Sequence, residues 1–127
     1  MAEDPKKILI ADDNTAIRDV YKEKLESLGY EVLIAADGEE LVETAKQEIP
    51  ALILTELVLP KKSGFEILIE LRKEESLKRT PIFVITDEGN DDDIRKALQL
   101  GASLYFVKTK SRLVDIIQNI EGVLENK

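Results

Sequence analysis

Residues 51–66 read ALILTELVLPKKSGFE. Leu52 to Thr55 is a short, apolar, β-prone run, Glu56 follows directly, and Pro60 and Gly64 mark the loop beyond. The run does not alternate: it is apolar throughout, as in strands of a parallel sheet covered by helices on both faces. Four more runs of this kind lie along the chain, at Ile8 to Ala11, Val32 to Ala35, Ile82 to Thr86 and Leu104 to Val107. Segments of helical period separate them, so strand and helix alternate five times.

The helical segments carry their own punctuation. Ile17, Val20, Tyr21, Leu25 and Leu28 mark one face of the first, and Gly29 stands where a C-terminal cap belongs. Asp37 with Glu40, and Ser63 with Glu66, have the spacing of an N-cap and its third-position partner. Asn90 ahead of Asp91, Asp92 and Asp93 reads as a cap and an acidic first turn, opening a helix that Gly101 closes. The last helix follows Ser111 and puts Leu113, Ile116, Ile117, Ile120 and Leu124 on one face. Right-handed crossovers leave few ways to arrange such a chain. The common one is an α/β, flavodoxin-like doubly wound fold: a five-stranded parallel sheet in the order 2-1-3-4-5, with five helices on two faces. A single domain over 1–127 is expected, with no output domain after the fifth helix.

Composition narrows the function. At 127 residues the chain suits one ordinary hydrophobic core. A net charge of -8 argues against direct contact with nucleic acid or an anionic membrane, because phosphate binding needs clustered Lys and Arg. No apolar stretch approaches the roughly 20 residues of a bilayer span. Met1 to Lys7 also lacks the apolar segment of a signal peptide. Without histidine or cysteine there is no base or ligand set for zinc or imidazole chemistry and no disulfide, which suits the cytoplasm. Carboxylates, hydroxyls and lysines carry any chemistry.

In the order 2-1-3-4-5 the first and third strands are neighbours, and ligand sites fall at their carboxyl ends, where the winding reverses. Asp12 and Asp13 end the first strand and Glu56 the third. Three carboxylates meeting there repel unless protonated or neutralised, and a hard divalent cation such as Mg²⁺ is the usual remedy. Thr86 and Lys108 end the fourth and fifth strands. A hydroxyl and an ammonium beside a metal-bound carboxylate make a site for a phosphoryl group. Plainer readings stand beside these: Asp12 and Asp13 as a capping pair ahead of Asn14 and Thr15, Glu56 as a solvated strand-end acid, Lys108 as a salt-bridge partner and Tyr105 as packing. Asp91 to Asp93 read as helix-start charge and Lys61-Lys62 as a solvated loop pair.

The motifs KKILIADDN, TELVLPKKSGFE, PIFVIT and GASLYFVK closely resemble the receiver domain of bacterial two-component response regulators, from Lys6 to about Glu125. The resemblance implies that Asp12 and Asp13 help to hold Mg²⁺, with Glu56 and the carbonyl of Val58 as further ligands. It implies that position 56 is the phosphoacceptor, that Thr86 and Lys108 bind the phosphoryl oxygens, and that Tyr105 is the switch aromatic. In the family, phosphorylation draws the threonine inward and the aromatic follows. The face made by the fourth helix, fifth strand and fifth helix then changes its affinity for a partner. A sensor histidine kinase or other phosphodonor protein and a downstream protein are the partners implied.

The chain departs from that pattern at three positions. The family's acceptor is aspartate and here it is Glu56, whose extra methylene moves the carboxylate by about 1.5 Å. Misplacing reacting groups by ~1 Å can lower a rate ~100-fold, so phosphorylation is expected to be slow or absent. The longer side chain reaches instead toward Lys108 and Thr86, where its carboxylate mimics a phosphoryl group in part, with one negative charge against nearly two. Asp87 stands where a small residue is usual, and an acid there repels incoming phosphate unless it points away. Thr109 replaces the usual proline; a non-proline cis bond costs ~3 kcal/mol, so a trans bond and a differently aimed Lys108 are expected. Two other readings remain open: a Mg²⁺-dependent phosphohydrolase with an aspartate nucleophile, although Asn14 breaks its usual D-x-D pattern, and an ordinary phosphoacceptor receiver changed from Asp to Glu at 56. Under mimicry Thr86 turns toward Glu56 and Tyr105 is buried; an exposed Tyr105 marks the inactive form.

Overall fold

The apolar runs become strands β1 (Lys7–Ala11), β2 (Glu31–Ala35), β3 (Leu52–Glu56), β4 (Ile82–Thr86) and β5 (Leu104–Val107) in a computed structural model that describes residues 4–87 and 89–125. They form one sheet in the order β2-β1-β3-β4-β5, with every pairing parallel, as the alternation predicts. Registers Ala11 to Thr55, Glu56 to Ile85 and Thr86 to Val107 bring the carboxyl ends of the four strands β1, β3, β4 and β5 to one edge. That edge is where the site forms.

Side-chain parity along each strand sorts the core into two layers. Ile8, Ile10, Leu52, Leu54, Phe83 and Ile85 pack under α1 (Thr15–Ser27) and α5 (Leu113–Glu125), against Tyr21, Leu25, Ile116, Ile117 and Ile120. Leu9, Ala11, Ile53, Ile82 and Val84 pack on the other face, under α2 (Gly38–Glu48), α3 (Gly64–Lys73) and α4 (Asp91–Gln99). β3 and β4 are buried along their whole length, which is why they read as unbroken apolar runs, whereas the edge strand β5 is half-buried.

The helix boundaries follow their capping residues. Asp37, Ser63 and Asn90 each accept a backbone N–H three residues on, and Ser63 with Glu66 completes a capping box. Gly29 and Gly101 take φ of 96° and 112° and close α1 and α4 through paired bonds, from Gly29 to Glu26 with Tyr30 to Leu25 and from Gly101 to Leu98 with Ala102 to Ala97. One expectation fails on α1: Tyr21 and Leu25 are buried, but Val20 and Leu28 are 50% and 42% exposed. Among the described residues no helix is long and apolar enough to cross a membrane.

Helix α2 ends on Ile49, a β-branched residue held at φ 46°, ψ 65°. The left-handed region costs such a side chain roughly 1–2 kcal/mol, and at 51% exposed it recovers little by burial. Ile49→Asn is expected to raise stability by about 1 kcal/mol, read as a higher urea midpoint at unchanged slope.

Candidate functional site

Parity carries past the strand ends. Asp12 continues the series Ile8, Ile10; Glu56 continues Leu52, Leu54; Lys108 continues Leu104, Phe106, so all three start on the α1/α5 side. Thr86 and Tyr105 continue the opposite series, and Tyr105 packs against the layer under α2, α3 and α4. The two halves of the expected site therefore approach one edge from two faces of the sheet.

Lys108 is the hub of the first half. Its Nζ donates to Asp12 Oδ2 at 3.0 Å, stands 2.6 Å from Glu56 Oε2 and lies 3.7 Å from Asp87 Oδ1. The approach to Glu56 is an ion pair off hydrogen-bonding angles, so Oε2 is buried without a hydrogen-bond donor. Asp12 is held from the other side by the backbone N–H of Asn14, at 2.9 Å from Oδ1, while the Asn14 side chain caps α1. Asn14 escapes a sequence reading because its capping role hides its backbone contact. Asp87 is 82% exposed, so its carboxylate is solvated and pairs loosely. No peptide bond among the described residues is cis, and Lys108 opens a short 3-10 turn, Lys108–Lys110. The expected trans loop delivers Lys108 onto the strand-end acids.

Burial governs the charges. It is the main cause that raises Glu56 to about 7, against the downward pull of the Lys108 ammonium and with Asp12 and Asp87 adding to the rise. For Lys108 burial works downward, but Glu56 and Asp12 outweigh it and hold the ammonium well above its ordinary range. Glu56 thus binds its proton more tightly folded than unfolded, and its effect on stability falls as pH rises from 4.5 through about 7. Glu56→Gln removes this titration. Denaturation at pH 5 and pH 8 is therefore expected to show the Gln variant gaining on the wild type toward the alkaline side, roughly across one buried carboxyl's titration.

Asp13 is exposed, and Val58, 71% exposed, sits in the loop after β3. By type, the oxygens of Asp12, Asp13, Glu56 and the Val58 carbonyl suit a hard divalent cation. By position, Asp12 and Glu56 are turned onto Lys108, and among the described residues no three acidic side chains gather closely enough to hold a metal.

In the second half, Thr86 is buried beside the Tyr105 ring. The Tyr105 hydroxyl is sealed from water and lacks a hydrogen bond of acceptable geometry, although Thr86 lies near enough to influence it. Burial is the main cause of its raised pKa, followed by Asp93 and Glu56.

The chain is similar in sequence and in fold to known proteins. The chain is 34% identical over 126 residues to the probable transcriptional regulator ycf27 of Porphyridium aerugineum, covering 94% of this chain and 51% of that protein. It thus spans about half the length of the first curated relatives it matches. It is 32% identical over 128 residues to the response regulator Rcp1 of Synechocystis, covering 94% of this chain and 86% of that one. The manganese-bound structure of Rcp1 superposes with a TM-score of 0.82, covering 97% and 96% of the two chains. The receiver domain of sensor histidine kinase PA1611 from Pseudomonas aeruginosa, solved with magnesium coordinated in its active-site cleft, is 28% identical with a TM-score of 0.85, covering 96% and 99%. The family model described as the response regulator receiver domain matches residues 8–120, which run from β1 to the last fully buried isoleucine of α5 and so include both faces of the core and all five strand ends. By sequence and by fold, the chain belongs to the response regulator receiver domains of two-component signalling.

Proposed function

We propose that this receiver signals in the cytoplasm by contact with a partner protein and does so without accepting phosphate. The carboxylate of Glu56 serves in place of the phosphoryl group on Lys108. The observation that carries the reading is the 2.6 Å approach of Glu56 Oε2 to Lys108 Nζ at a buried site, beside a Tyr105 whose hydroxyl is turned inward. A sensor histidine kinase or other phosphodonor protein remains a partner for docking. The downstream protein binds the face of α4, β5 and α5, and residues 1–127 act as one receiver unit.

The magnesium in the cleft of the PA1611 receiver and the manganese of Rcp1 support a divalent-cation role for Asp12, Asp13, Glu56 and the Val58 carbonyl. Such a cation would offset the charge on the acids that Lys108 does not neutralise. Lys108 already engages Asp12 and Glu56, so occupancy here competes with an internal ammonium.

Incubating the chain with acetyl phosphate and Mg²⁺ and measuring its intact mass tests the proposal. No phosphoryl adduct is expected on the Glu56 chain. A stable adduct mapped to Glu56 would overturn the reading and return the chain to the ordinary phosphorylated receivers.

A further inference from the structure

Tyr105 holds its hydroxyl inward with no hydrogen bond of acceptable geometry to keep it there. Burying an unpartnered hydroxyl is unfavourable, so packing must fix the ring. Phe65 and Leu100 belong to the layer it packs on. The bare backbone of Gly89, between β4 and the Asn90 cap of α4, also approaches the ring. A Cβ at Gly89 would lie 3.1 Å from Tyr105 Cε1, 3.4 Å from its hydroxyl oxygen and 3.0 Å from Val107 Cγ2. Carbon atoms in comfortable contact sit about 3.5–4.0 Å apart.

We infer that Gly89 is the positioning residue for Tyr105: its lack of a side chain lets the backbone ahead of α4 seat on the ring, and any side chain there turns the ring outward. The claim about packing is independent of the phosphate-free reading. Only its consequence for signalling rests on that reading, because an inward Tyr105 then depends on Gly89 as well as on Glu56.

Nitration of the whole chain with tetranitromethane, mapped by peptide mass, reads the ring directly. Tyr21 and Tyr30 are internal controls, both buried. In Gly89→Ala, nitration at Tyr105 is expected to rise roughly tenfold over the wild type, the shift expected of modest overpacking, with Tyr21 and Tyr30 unchanged. The double variant Gly89→Ala/Val107→Ala removes the Val107 Cγ2 contact and leaves the contact with the ring, so the rise at Tyr105 is expected to persist. Wild-type nitration of Tyr105 in Gly89→Ala would overturn the inference. So would a rise at all three tyrosines, which reports general loosening, or a rise that disappears in the double variant, which assigns the effect to Val107. If the phosphate-free reading alone were wrong, the nitration result would stand and a phosphoryl adduct would appear on the Glu56 chain.

Discussion

Glu56→Asp is expected to turn a chain that resists acetyl phosphate into one that forms an acyl phosphate, with a gain of about 100-fold or more in rate. Lys108 already stands at the strand ends with Asp12 beside it, and Thr86 is buried at the end of β4. In the proposed reading, what obstructs transfer is length. Glu56 reaches to 2.6 Å of the ammonium, and on that reading its carboxylate occupies the space that an incoming phosphoryl group needs. Aspartate withdraws by one carbon–carbon bond, about 1.5 Å, and opens that space while keeping a nucleophilic oxygen at its mouth. The phosphorus–oxygen bond to acetate then breaks as the bond to the shortened carboxylate forms, with Lys108 offsetting the charge; a divalent cation, if held by Asp12 and Asp13, would add to that effect. Intact mass against time, with Mg²⁺ present, measures the gain. An inert Asp form would move the obstruction to Asp87 or Thr109.

Lys108→Met is expected to destabilise the fold by about 3 kcal/mol at pH 8 and by clearly less at pH 5. The ammonium is the shared counter-ion of Asp12 and Glu56, which are 3% and 4% exposed. Removing it leaves two buried acids facing each other. Lys108 itself stays charged across this range, because its folded pKa is raised above 10.5, so its own titration contributes no slope between pH 5 and pH 8. The slope comes from Glu56. Already pushed up to about 7 by burial, it rises further without its cation and escapes the penalty at low pH by taking a proton. Urea midpoints at the two pH values measure the difference. A pH-independent loss would show that Lys108 acts by packing alone.

Much of the fold was legible because two independent signals agreed. Unbroken apolar runs gave β3 and β4, which are buried on both faces, and caps such as Asn90, Ser63 and Gly29 set the helix ends to within a residue or two. The motif reading brought Asp12, Glu56, Thr86 and Lys108 to one edge; strand parity, applied once the strand ends are known, separates Asp12, Glu56 and Lys108 from Thr86 and Tyr105. Where reading failed, the missing information was three-dimensional. Val20 and Leu28 lie on the apolar stripe of α1, but how far that helix overlaps the sheet decides which of the stripe is covered. Asp12 and Asp13 look equivalent in sequence, yet one is buried under Lys108 and the other exposed. Gly89 carries no local signal at all, since its significance comes from a ring 16 positions further along the chain.

The central claim is that Glu56 holds the switch residues where a phosphoryl group would. Backbone amide spectra of the Glu56 chain, of Glu56→Asp, and of Glu56→Asp after phosphorylation compare the three states directly. The signals of Thr86, Tyr105 and Lys108 in the phosphorylated Asp form are expected to move toward those of the unmodified Glu56 chain, and those of the unphosphorylated Asp form to stand apart. If the unphosphorylated Asp form already coincides with the Glu56 chain, and phosphorylation moves these signals away from both, then Glu56 mimics nothing and the Glu56 chain is in its resting form.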